Sequence, residues 1–81
     1  MNDEIRAVLA AHARLSVPIE QIRDDSDLYE AGMTSHAGVT VMLALEDEFD
    51  IEFPERLLRK ATFSSVGSIR AALDELTART A

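Results

Sequence analysis

Apolar positions recur at helical spacing in three parts of this chain and thin out between them. From Ser35 to Phe49, placed at about 100° per residue, Gly38, Val41, Met42, Leu45 and Phe49 share one arc, the stripe of a core-facing helix. Ser35, Val39, Leu43, Glu46 and Asp50 share the adjacent arc, so Val39 and Leu43 either widen the core face or form a small apolar patch beside Ser35 where a partner docks. Towards the N-terminus, Ile5, Val8, Leu9 and His12 fall on one side of a helix expected over Asn2 to Leu15. Asn2 or Asp3 caps it, and Ser16-Val17-Pro18 ends it, because the residue before a proline is pushed out of the helical region. Near the C-terminus, Val66, Ile69, Leu73 and Leu76 follow a cap at Ser64 or Ser65.

The connections carry signals of their own. Val17 to Thr34 is long for a loop, and Val17, Ile19, Ile22, Leu28 and Met33 anchor it to the helices, with a short turn near Ile19 to Ile22. Gly32 is expected to take a backbone shape that a side chain would hinder. Asp50 to Pro54 reads as extended, Ile51 and Phe53 pointing inward, and Glu55 to Lys60 as a short helix bearing a basic patch of Arg56, Arg59 and Lys60. Strand signals, internal repeats and heptads are absent. The fold class is all-α: a small bundle of three principal helices plus one short helix, with a long loop between the first and second.

Eighty-one residues make a single domain, 1–81, with a modest core. There is no cysteine, so disulfides and thiolate metal sites are excluded, and any working thiol must come from a prosthetic group. The net charge of −7, from 15 acidic and 8 basic residues, argues against nucleic acid and suits docking onto basic surfaces, or simply solubility. Asp24, Asp25 and Asp27 lack the glycine and distal glutamate of a calcium loop, so no metal site is expected. No run approaches the ~18 apolar residues of a membrane span, and the charged N-terminus does not read as a signal peptide, which makes the cytoplasm the default location.

Ser35 opens the middle helix. It or Thr34 can be the N-cap, or Ser35 can be a site of covalent attachment, since the first turn of a helix favours an anion such as a phosphodiester. A Ser35–His36 catalytic dyad is excluded, because adjacent helical residues point about 100° apart. His12 reads as a boundary residue. No catalytic residues are assigned.

Residues 24 to 54 resemble the phosphopantetheine attachment region of acyl and peptidyl carrier proteins. The resemblance is carried by Asp25-Ser26-Asp27-Leu28, by Gly32 three before Ser35, and most specifically by Leu45-Glu46-Asp47-Glu48-Phe49-Asp50-Ile51-Glu52-Phe53-Pro54. It implies a carrier, not an enzyme, with 4'-phosphopantetheine covalent on Ser35 and cargo held as a thioester on its thiol. It also implies as partners a phosphopantetheinyl transferase, a cargo-loading ligase and a downstream acceptor enzyme, the carrier being a monomer when free, without nucleic acid or membrane.

Common fatty-acid carriers have aspartate just before the serine, then leucine and acidic residues in the next turn, where this chain has Thr34, His36, Ala37 and Thr40. Thr34-Ser35-His36, with the run from Phe53 to Phe63, is similar instead to free-standing bacterial carriers charged with amino acids by ligases that resemble seryl-tRNA synthetases. An amino-acid cargo from a separate ligase is therefore the leading expectation, and a fatty or specialised acyl cargo the alternative. An unmodified acidic interaction module is the alternative of another class. The expected partner-docking residues are Thr34, His36, Val39, Leu43, Arg56, Arg59 and Lys60.

Overall fold

The computed structural model describes residues 2–78. Three helices form, α1 (Asn2–His12), α2 (Ser35–Phe49) and α3 (Val66–Ala78), and no strand forms among the described residues. α1 packs on both α2 and α3. Ile5, Leu9, Leu28, Val41, Leu45, Val66, Ile69 and Leu73 are fully buried at the centre, with Met33 nearly so.

α1 stops at His12, short of the expected Leu15. Arg14 adopts a left-handed conformation (φ 56°), which breaks the helical run before Pro18 has any influence. The chain's next hydrogen bonds go elsewhere: the Ser16 amide and hydroxyl both donate to the Ala31 carbonyl, each at 2.8 Å. The two ends of the long loop are thereby stitched together.

The middle of that loop is held by Arg6 of α1. Its guanidinium donates to the Ile22 carbonyl at 2.7 Å and pairs with Asp24 at 2.6 Å. Asp27 Oδ1 accepts the Tyr29 amide at 2.9 Å, and Asp25 lies 3.7 Å from Arg23. The acidic cluster is thus engaged in loop structure. Leu28 donates its amide to the Ser64 carbonyl and Gly67 donates to that of Asp24, so the loop is also tied to the start of α3.

α2 has the expected bounds, but its buried side is rotated. Ala37, Gly38, Val41 and Leu45 are buried, whereas Met42 and Phe49 are only half-buried. The row Ala37–Val41–Leu45 faces the core, and α1 packs on this helix. Asp50 ends the helix in the left-handed conformation (φ 52°, ψ 51°), and Glu46 Oε2 then accepts the Phe53 amide at 2.9 Å, folding the extended segment back.

The expected short helix over Glu55 to Lys60 is instead two 3₁₀ turns, Glu55–Leu57 and Lys60–Phe63, with Arg59 extended between them (φ −134°, ψ 154°). Phe53 and Phe63 meet edge-on, ring centroids 5.3 Å apart at 69°. Bringing them together requires the segment to double back, and separated turns allow this where a straight helix would carry the rings apart. At the start of α3, Ser65 Oγ accepts the Ser68 amide while Ser68 Oγ accepts the Ser65 amide, both at 3.1 Å. This reciprocal cap resolves the choice between Ser64 and Ser65.

Candidate functional site

Gly32 sets the entry to α2. Its φ of +116° is a conformation L side chains rarely adopt, and a Cβ there would lie 2.9 Å from the Ser16 amide nitrogen. Thr34 follows in an extended conformation as the N-cap, its Oγ1 accepting the Ala37 amide at 3.1 Å. Ser35 is therefore the first helical residue. Its side chain is exposed and its hydroxyl has no hydrogen-bond partner among the described residues. His36 does not bond to it, so nothing at hand would remove its proton.

Ser35 opens onto a shallow groove of about 220 Å³ between α2 and the 3₁₀ segment. Gly38, Val39 and Met42 line it from α2, Leu58 and Phe63 from the 3₁₀ segment, and Tyr29 from the long loop. Arg59 and Lys60, both exposed, complete the lining, Lys60 Nζ 4.8 Å from the centroid of the Tyr29 ring. Burial pushes the Tyr29 phenol up from its ordinary pKa, and the charge of Asp27 adds to the effect, so it is neutral at physiological pH.

The residues expected to dock partners do not all line one groove. Val39, Arg59 and Lys60 share the groove with Ser35. Val39 and Leu43, 53 % and 55 % exposed, do not widen the core; with Leu58 (47 %) they are the large apolar residues left in solvent. Thr34 and His36 line a different, polar cleft with His12, Arg14 and Thr40. Arg56 does not line the groove with Arg59 and Lys60; its guanidinium pairs with Glu75 of α3 at 2.5 Å.

Tyr29, Leu58 and Phe63 belong to the site and were not expected there. Leu58 carried a signal, an apolar residue after Leu57 in a charged stretch; Tyr29 and Phe63 carried none beyond being aromatic. Phosphopantetheine fits this arrangement: an accessible hydroxyl for the phosphodiester, two cations nearby, and apolar walls along the path leaving Ser35.

Residues 3–73 match the family described as "Phosphopantetheine attachment site". The chain is 46% identical over 69 residues to an aminoacyl carrier protein of Agrobacterium fabrum, covering 85% of this chain and 83% of that protein. A chain in the crystal structure of an engineered Bradyrhizobium japonicum glycine:[carrier protein] ligase, complexed with carrier protein from Agrobacterium tumefaciens and AMP, superimposes with a TM-score of 0.89 at 43% identity. That match covers 91% of this chain and 99% of the other. A chain in the Bradyrhizobium japonicum ligase complex with glycylated carrier protein is similar at 25% identity and a TM-score of 0.76, covering 88% and 95%.

Proposed function

This chain belongs to the phosphopantetheine-attachment family of carrier proteins, and from that premise we propose that it is an aminoacyl carrier, one domain over 1–81 with its arm on Ser35. The observation that carries the assignment of Ser35 is its hydroxyl: exposed, unbonded, released from capping by Thr34, and facing an apolar groove. 4'-Phosphopantetheine, when attached, supplies a thiol that holds cargo as a thioester, which this cysteine-free chain cannot do alone.

The chain's own residues present the arm. Thr34 and Gly32 fix where Ser35 Oγ stands, and the helix below it is anchored by Val41 and Leu45. Ser35 has no neighbouring base, so its proton must be taken by the enzyme that installs the arm, a phosphopantetheinyl transferase. An amino-acid cargo is supported by the aminoacyl carrier of Agrobacterium fabrum and the glycine ligase complexes among the relatives. It is also supported by Thr34, Ala37 and Thr40 where fatty-acid carriers are acidic, and by His36 where they have leucine. Docking of the loading ligase and of a downstream acceptor enzyme falls to the exposed Val39, Leu43 and Leu58, with Arg59 and Lys60 on the groove and Thr34 and His36 on the polar cleft.

The test is an intact mass. Incubation with a broad-range transferase and coenzyme A should add one phosphopantetheine to the wild type and none to Ser35→Ala. Further incubation with the engineered Bradyrhizobium japonicum glycine ligase, ATP and glycine should then add one glycyl group. Modification of Ser35→Ala would refute the site, and a holo protein refused by glycine and every other amino-acid ligase tried would refute the cargo class.

A further inference from the structure

Four of the eight cations of this chain are spent on carboxylates. Arg6, Arg23, Arg56 and Arg70 pair with Asp24, Asp25, Glu75 and Asp74. Arg59 and Lys60, like Arg14 on the polar cleft, enter no ion pair among the described residues, although the chain carries a net charge of −7. Both stand on the one groove that Ser35 opens into. Lys60 is held there by the Tyr29 ring, and Tyr29 in turn lies against α2, its hydroxyl 3.5 Å from where a Cβ on Gly38 would be.

We propose that Arg59 and Lys60 are the counter-charges of the phosphodiester on Ser35, laying the arm along the groove walled by Val39, Met42, Leu58 and Phe63 while no partner is engaged. The inference rests on the reading that Ser35 bears the arm. The phosphodiester is bonded directly to Ser35 Oγ, so its negative charge stays at the groove that Arg59 and Lys60 also line. A guanidinium can grip two phosphate oxygens and an ammonium acts as a point charge, so the two side chains are suited to one phosphodiester. The hydrocarbon parts of the arm would cover apolar side chains that otherwise face water, among them Val39 and Leu58. Arg59 and Lys60 are thus positioning residues: they decide where the arm rests, without touching the thiol.

The experiment compares apo and holo protein by amide and phosphorus NMR, with intact mass confirming the arm. In the wild type, attachment should move the amide resonances of Tyr29, Leu58, Lys60 and Phe63 as well as those beside Ser35. The phosphorus resonance should differ from that of the phosphodiester on a short, unstructured serine peptide. In Arg59→Gln with Lys60→Gln, the shifts at Tyr29 and Phe63 should fall by more than half, while the apo spectrum away from the substitutions stays that of the wild type. Lys60→Arg should restore most of the effect. Raising salt to 1 M, where the Debye length is about 3 Å, should weaken it in the unmutated protein, which tests the idea without any variant. Shifts confined to residues beside Ser35, or undiminished in the double variant and at high salt, would overturn it. If no arm attaches at all, the attachment reading falls first and this inference falls with it.

Discussion

Thr34 Oγ1 accepts the Ala37 amide at 3.1 Å, and this single bond relieves the Ser35 hydroxyl of any structural duty in α2. Two neighbouring hydroxyls therefore have separable roles. Thr34→Ala should cost about 0.5–2 kcal/mol, the usual loss of an N-cap, and still accept phosphopantetheine. Ser35→Ala should stay within about 0.5 kcal/mol of the wild type and accept none. Urea denaturation with intact mass on both variants checks the pair. A larger stability loss in Ser35→Ala than in Thr34→Ala would show that the cap has been misplaced.

The rotation of α2 makes a second contrast. Leu45 is fully buried and Phe49 half-buried, although Phe49 is the larger side chain. Leu45→Ala should cost about 2–5 kcal/mol through the cavity it leaves. Phe49→Ala should cost less than Leu45→Ala, because part of its surface is already hydrated. The order of the two denaturation midpoints decides the matter, and the reverse order would put the core on the Phe49 side.

Gly32 should tolerate no side chain. Its positive φ and the 2.9 Å approach to the Ser16 amide nitrogen predict that Gly32→Ala loses about 1–3 kcal/mol, by strain at the very turn that presents Ser35. Thermal unfolding measures the loss, and an unchanged midpoint would mean that the turn can re-form without the glycine.

Tyr29 is the chain's only tyrosine and there is no tryptophan, so its ionisation can be followed by ultraviolet absorbance alone. Burial first, and the Asp27 charge second, raise its pKa. The folded value lies above the unfolded one, so the stabilisation it reflects is complete at neutral pH and is lost as pH rises through the folded value. The midpoint should exceed the ordinary tyrosine value of about 10 in the native protein and return to it in urea. Equal midpoints would show a phenol fully in water.

What the sequence made legible is what local chemistry decides. The bounds of α2, the serine cap of α3 and the anchors Ile22, Leu28 and Met33 follow from periodicity and cap residues, and all are found. Choices made by neighbours were hidden. Nothing in the order of residues says that the Ala37–Val41–Leu45 row turns to the core, which leaves Met42 and Phe49 at its margin. Nor does it say that Arg14 and Asp50 take left-handed conformations that a glycine would ordinarily announce. In the site, Ser35 was visible through its surrounding motif, whereas its groove was not. Tyr29, Leu58 and Phe63 converge there from separate segments, and two 3₁₀ turns break the periodicity that made Arg56 look like a neighbour of Lys60.

That separation changes how partner recognition should be tested. Arg56 is paired with Glu75, so reversing it should disturb a half-exposed ion pair worth about 0.2–1 kcal/mol and leave docking alone. Arg59 and Lys60 face the approach to Ser35, and a loading ligase with acidic residues at that border would welcome them while repelling carriers that are acidic there. Because the same two side chains are assigned to the arm, docking must be measured without one. Ser35→Ala protein, which carries no arm, should compete with the wild type for the ligase. Adding Arg59→Glu and Lys60→Glu to it should weaken that competition roughly tenfold at low salt, and much less at high salt, as expected of steering by exposed charge. Adding Arg56→Glu should change it little. Equal inhibition by all three proteins at low salt would show that the cations serve the arm alone, and that Val39, Leu43 and Leu58 carry the docking by themselves.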